Sequence, residues 1–248
     1  MNYINQFELI KAILDHKSGY LDYKALISTV NRDQIMKRIE KTNPELKGIG
    51  SFFITEEPIE EENWSKLPKR DKKRILRLNE KIKKSEDLTI VIKDLLGYKL
   101  KYPDVPTIYN YLGIAYERAS KQKNYLRVLI ETRKKFPDYI FGKISLAEYY
   151  LSANRYKKIP ALLDNKFEIT QHFPAGTEAF HIAAVRGFYY ITGRYFALAG
   201  KIELAYKSYF LLSDLDKDYP TNEILANAII NYEIAGLRRK MKAHWRRR

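Results

Sequence analysis

Apolar residues recur at three- and four-residue intervals over most of this chain, the spacing of an α-helix with one buried face. Phe7, Leu9, Ile10, Ile13 and Leu14 mark a first helix, ended by Ser18-Gly19. Tyr23 to Val30 predicts a second, short helix through Ala25, Leu26, Ile27 and Val30. A third, capped by Asp33, carries Ile35, Met36 and Ile39 and stops at Pro44. Gly48 to Ile54 then predicts a turn and a short strand. After a polar linker over Thr55 to Asn63, Trp64 and Leu67 are placed to dock on the next helix, which Pro68 starts. That helix runs to Lys84 with Ile75, Leu78 and Ile82 on one face, and a further helix follows over Leu88 to Tyr98.

From there the pattern repeats. Tyr102-Pro103 and Phe136-Pro137 are each an aromatic followed by proline, 34 residues apart. Between them lie two helical stretches joined by Ser120-Lys121-Gln122-Lys123-Asn124. The first holds Tyr109, Leu112-Gly113 and Tyr116, and the second Leu126, Leu129 and Ile130. A helix pair cannot bury its apolar face alone, so a period of this length predicts stacked neighbours. The next unit shows Leu146-Ala147 and Tyr150, with Pro160 near the start of an irregular second helix and Pro174 closing it. The last shows Tyr189, Gly193, Phe196, Ala205 and Tyr209, with 175–185 extending its first helix backwards and Tyr219-Pro220 closing it. A helix from Thr221 through Ile224, Leu225, Ala228, Ile229 and Tyr232 is the expected C-terminal cap.

These units, over about 72–221, resemble tetratricopeptide repeats, on Tyr109, Leu112-Gly113, Tyr116 and Pro137 at the family's spacings. The resemblance implies an all-α fold, an α-solenoid forming a right-handed superhelix of helix–turn–helix pairs. The leading functional expectation is a non-catalytic scaffold or adaptor that binds a protein or peptide segment in the groove of the repeats. The expected organisation is a small, mostly helical N-terminal module with an acidic linker over 1–62, then the repeat domain with a capping helix and basic tail over 63–248. A glycine mid-helix costs about 1 kcal/mol relative to alanine. Gly113 and Gly193 are therefore expected where a Cβ would collide with a neighbouring helix.

Composition narrows the function classes. The 248 residues are 45% hydrophobic, enough for a substantial core, and contain no cysteine. That removes disulfides, thiolate metal sites and cysteine nucleophiles. Neither a secretory signal nor an apolar run of membrane-spanning length is visible, so a soluble, cytoplasmic protein is expected. The formal net charge is +15, unevenly placed. Lys66 to Lys84 holds ten Lys/Arg against two acids, Leu237 to Arg248 seven against none, and Thr55 to Asn63 is acidic. Such charge favours anionic partners.

The four histidines lack metal-ligand spacing. Gly193 to Lys201 has the wrong glycine spacing for a phosphate loop, and no nucleophile-elbow motif is present. No enzyme, cofactor or metal is expected. The candidate partner-binding surface is the groove face of the first helices. Asn110, Ile114 and Glu117 represent it in one unit, Phe141, Ile144 and Glu148 in the next, and Tyr190 and Arg194 in the last. It is apolar and mildly acidic, suited to an apolar or basic peptide. The alternative is nucleic-acid binding or transcription regulation. One route is the basic tail, where Arg238, Arg239, Lys240, Lys242 and Arg246 flank phosphates and Trp245 stacks. The other is the N-terminal module, whose three helices and strand follow a winged-helix order with Arg32, Gln34, Lys37, Arg38 and Lys41 on a recognition helix. The competing reading of that module is a cap over the first repeat. Self-association through a repeat face is a third class.

Overall fold

Each apolar stripe of the 34-residue period becomes one buried helix face. The computed structural model describes residues 3–4, 10, 23–42, 52–57 and 61–245, without the side chains of Lys24, His244 and Trp245. Apart from Ile10, the first helix expected over Phe7 to Leu14 lies outside the described residues, as does the turn at Gly48 to Gly50. The fold is mostly helical with little strand. Among the described residues Ile10 is helical, and α1 (Tyr23–Ser28) and α2 (Arg32–Thr42) follow, then strand β1 (Phe53–Thr55) and α3 (Glu62–Ser65). The helices α4 (Lys69–Lys84), α5 (Leu88–Lys101), α6 (Pro106–Arg118), α7 (Gln122–Lys135) and α8 (Ile140–Ser152) follow. A 3-10 turn (Tyr156–Lys158), α9 (Ile159–Leu162), a second 3-10 turn (Ile169–His172) and strand β2 (Ala179–His181) come next. The chain ends in α10 (Ile182–Leu198), α11 (Ile202–Leu215) and α12 (Pro220–Trp245).

The chain divides into two units, residues 52–185 and residues 1–51 with 186–248, the boundary falling inside α10. This differs from the expected division at 62/63. In the 52–185 unit each helix from α4 to α8 packs on the next, and α4 also touches α6, as α6 touches α8. Ile75, Leu78 and Ile82 of α4 are buried, as are Val91, Ile92 and Leu95 of α5. Each such side chain contributes about 1.5–3 kcal/mol by leaving water. Ile90 and Leu96 face solvent instead. Trp64 and Leu67 are buried as expected.

One turn recurs after the first helix of each pair. Ser85, Ser120, Asn154 and Gly200 all have positive φ, between 55° and 75°. The next residue's N–H donates to the carbonyl five positions back: Glu86 to Lys81, Lys121 to Tyr116, Arg155 to Tyr150 and Lys201 to Phe196, at 2.6–2.9 Å. These are Schellman closures, which satisfy the last carbonyls of each helix. The acceptors include the aromatics Tyr116, Tyr150 and Phe196 that the sequence set in register.

Several expectations fail locally. The third unit has no full second helix: Pro160 lies in the first turn of α9, and the positive φ of Asp164 and Asn165 ends it after that one turn. Residues 175–185 do not extend α10 backwards as one helix. Ala179–His181 form β2 instead, paired in parallel with β1 through Phe53↔Ala179, Ile54↔Phe180 and Thr55↔His181. The strand is thus no winged-helix wing. Tyr219-Pro220 does not close the α11 pair; Asp216 to Tyr219 makes that turn and Pro220 is the first residue of α12. Asn222 holds the turn, its Nδ2 donating to the Asp216 carbonyl at 2.8 Å. Asn31 rather than Asp33 caps α2, its Oδ1 accepting from the Gln34 N–H at 2.9 Å.

The N-terminal helices pack on the other end of the chain from the one expected. In the 1–51/186–248 unit, α1 packs on α12 and α2 on α11. Leu26, Ile27, Val30, Ile35 and Ile39 are buried there. The segment therefore covers the last helix pair. Two cations of the supposed recognition helix are held in place. The Arg32 guanidinium donates to Asp214 through Nη1 at 2.8 Å, and Arg38 Nε lies 3.0 Å from Glu203 Oε1.

The two glycines expected at close contacts differ. A Cβ on Gly193 would fall 2.8 Å from Ser208 Cβ, a collision. A Cβ on Gly113 would meet Val128, Leu129 and Tyr125 at 3.6–3.9 Å, ordinary contact. Gly113→Ala should therefore stabilise the chain by up to about 1 kcal/mol through helix propensity. A higher midpoint in urea with an unchanged slope would show it; a lower midpoint would refute the packing described.

Candidate functional site

The face shared by α6 and α8 is built from two periodic rows. On α6 it presents Thr107, Asn110, Ile114 and Glu117, and on α8 Phe141, Ile144 and Glu148. Asn110, Ile114 and Phe141 are half-buried, Glu117 and Glu148 reach solvent, and Ile144 is buried, 8% exposed. Ile144 is thus core rather than an open contact. Tyr190 is also core, at 6%, and its hydroxyl accepts from Arg194 Nη1 at 3.1 Å with the guanidinium over the ring. Tyr190 and Arg194 belong to the 1–51/186–248 unit, while the other six residues belong to 52–185.

At one end of the face sits a residue the sequence assigned to a solvated linker. Thr107 Oγ1 donates to Glu61 Oε1 at 2.8 Å, and the Tyr139 phenol lies beside the same carboxyl. Burial raises the Glu61 pKa against those hydrogen bonds, and burial together with the Glu61 charge raises that of Tyr139. Asn63 Nδ2 donates to the Asp104 carbonyl at 2.8 Å, fixing the segment to the turn before α6. Tyr139 and Phe141 pack with ring centroids 5.8 Å apart.

At the other end the Tyr125 phenol feels both Glu117 and Glu148, and desolvation first, then those charges, raises its pKa. Desolvation also raises the Glu117 pKa, opposed by Arg118. Arg118 is engaged elsewhere, its Nη1 donating to the Lys83 carbonyl at 2.9 Å. The Glu117 carboxylate makes no hydrogen bond or ion pair among the described residues. The face is therefore apolar in the middle, with an underserved carboxylate at one end and a buried one at the other.

No family model, curated protein or solved structure matches this chain. The geometry stands by itself.

Sequence reasoning missed a second polar cluster, in the core. Lys143 on α8 is 3% exposed, and its Nζ lies 3.1 Å from His172 Nδ1 and 3.3 Å from Asp164 Oδ2. His172 Nε2 lies 3.0 Å from the Lys166 carbonyl. Only a neutral imidazole carrying its proton on Nε2 satisfies all three, accepting from the ammonium and donating to the carbonyl. Desolvation, with the Lys143 and Lys166 charges, lowers the His172 pKa. The three residues lie far apart in sequence, so no spacing rule reveals them.

The tail cations Arg238, Arg239, Lys240 and Lys242 are exposed on the last turns of α12, with the Arg239 guanidinium 6.0 Å from the Tyr232 ring centre. The Trp245 side chain and Arg246 lie outside the described residues. Among the described residues no three His, Asp or Glu gather to hold a metal, and no helix is long and apolar enough to cross a membrane.

Proposed function

We propose that the chain is a non-catalytic scaffold of the tetratricopeptide type, and that the α6/α8 face holds a basic or apolar segment of a partner protein. The observation that carries the binding site is Glu117: a partly desolvated carboxylate, across Tyr125 from Glu148, beside the half-buried Ile114 and Phe141 and without an ion-pair partner among the described residues. Removing charge from water is unfavourable unless it is paired. A lysine or arginine of a partner segment would pair it, while Ile114 and Phe141 would take that segment's apolar side chains. The repeat reading is supported by the recurring closure after Ser85, Ser120, Asn154 and Gly200, by sequential packing from α4 to α8, and by the close approach at Gly193.

The test is a peptide array probed with the full chain. The wild type should retain peptides that mix Lys/Arg with Leu or Phe. Glu117→Lys/Glu148→Lys should lose those at least tenfold and gain acidic ones, with the melting temperature within about 2 °C because exposed charge changes cost little. An unchanged preference in the double variant would remove the proposed face.

A further inference from the structure

The strongest feature outside that face is a cleft of about 620 Å³ between α4 and α5. It is lined by Arg74, Arg77, Lys93 and Lys101, with Tyr98 and Gly97 on the α5 side. A single carboxylate in its lining, Asp94, faces those four cations. Lys101 is committed, its Nζ donating to Asp71 at 2.7 Å. Arg74, Arg77 and Lys93 are exposed and make no hydrogen bond or ion pair among the described residues. Arg74 feels the Asp71 carboxylate and Asp94 stands in the lining, so the cations are compensated only in part; their remaining repulsion would be relieved by an anion.

Gly97 supplies an independent observation. It sits inside α5, where glycine costs about 1 kcal/mol relative to alanine. Its φ is not positive, and a Cβ there would meet nothing within 4 Å. Neither a turn nor packing among the described residues accounts for it. Its effect is to leave the cleft wall bare, so that a ligand can approach the α5 backbone. Beside it the Tyr98 ring is stacked on Tyr102, with centroids 6.4 Å apart and planes 10° from parallel. The Tyr102 hydroxyl donates in turn to Asp71. Tyr98 thus has an aromatic neighbour that is itself tied to α4. On α4, Arg70 continues the row of Arg74 and Arg77 at four- and three-residue steps, which share one helix face.

We infer that this cleft binds single-stranded nucleic acid, with Arg74, Arg77 and Lys93 on phosphates and a base against Tyr98. Cations tracking a backbone beside an aromatic ring are the combination that single strands require. The volume lies within the range of about 300–1,000 Å³ that encloses small ligands, enough for a nucleotide. An acidic protein segment would use the same cations but would gain less from the ring.

The test uses the full chain and a fluorescein-labelled twelve-residue oligouridylate, read by anisotropy. Three phosphate contacts at about 0.7 counterions each should weaken binding about twentyfold between 50 and 200 mM salt. Arg74→Glu/Arg77→Glu and, separately, Lys93→Glu should each lower affinity at least tenfold with unchanged circular dichroism. Gly97→Leu changes no charge, and its Cβ would meet nothing within 4 Å, so it should keep or raise the melting temperature while weakening binding at least fivefold. The tail variant Arg239→Glu/Lys242→Glu should stay within threefold of wild type. Absence of binding at 50 mM salt, full binding by Gly97→Leu, or loss only in the tail variant would overturn the assignment. Displacement by polyglutamate as readily as by unlabelled oligouridylate would also overturn it, in favour of an acidic protein partner.

Discussion

His172→Ala lowers the melting temperature by about 6–12 °C. The substitution leaves the Lys143 ammonium, whose side chain is 4% exposed, with Asp164 at 3.3 Å as its remaining partner. Removing the neutral imidazole takes a hydrogen-bond acceptor from a buried ammonium, and leaving a buried charged donor unsatisfied costs about 3 kcal/mol. Taking about 3 kcal/mol, and 2–4 °C per kcal/mol for a chain of this size, gives the stated fall. The paired apolar replacement Lys143→Met/His172→Leu removes both partners and should recover most of the loss, since such swaps are often neutral. If the double variant is as unstable as the single one, the charge argument is wrong and packing volume alone matters.

The same cluster sets a pH dependence. The folded His172 pKa lies below its ordinary value of 6.5, so the unfolded chain takes up this proton first as pH falls. Its contribution is fully present above about pH 6.5 and is lost as the pH drops towards the folded pKa. Glu61 and Glu233 act in the opposite sense: burial raises their pKa values, so their effect favours the folded chain on acidification. The informative quantity is therefore the difference between wild type and His172→Ala, measured by urea unfolding at pH 7.5 and pH 5.5. That difference should shrink at the lower pH. A gap that widens would mean that the imidazole is protonated in the folded chain.

Gly193→Ala should destabilise by about 1–3 kcal/mol, against the gain expected from helix propensity. Its new Cβ would lie 2.8 Å from Ser208 Cβ and 2.9 Å from Leu225 Cδ2. The leucine methyl can rotate away, whereas Ser208 Cβ is bonded to the α11 backbone and moves only with it. Overpacking of this kind shifts backbone, which gives the energy its scale. Ser208→Gly should restore part of the loss by removing the colliding atom. The contrast with Gly113→Ala is the sharper check, because both glycines hold the same place in the repeat pattern. If both substitutions raise the urea midpoint, the close approach of α10 to α11 and α12 is not as described.

Helix positions were largely legible in the sequence, for a local reason. Ile75, Leu78 and Ile82 share a face because of the helical period alone, and α4 buries all three. Pro68, read as a helix start, stands directly before α4, whereas Pro220, read as closing a repeat, is the first residue of α12. The α6/α8 face was legible in the same way, since Asn110, Ile114 and Glu117 follow from spacing. Its boundary was not: Ile144 and Tyr190 lie on the expected face, yet neighbouring elements bury them. Neither Glu61 nor the cleft beside Gly97 was foreseen as a site.

By itself, then, the sequence determined where most helices lie, which stripe of each is apolar, and where charge collects. The tertiary structure alone decided what covers each stripe. It placed α1 and α2 on α12 and α11, paired β1 with β2, set Glu61 against Thr107, and brought His172 to Lys143. The physical reason is that hydrophobic burial has no direction. An apolar face specifies that it must be covered, and only the competition among all faces of the folded chain selects what covers it.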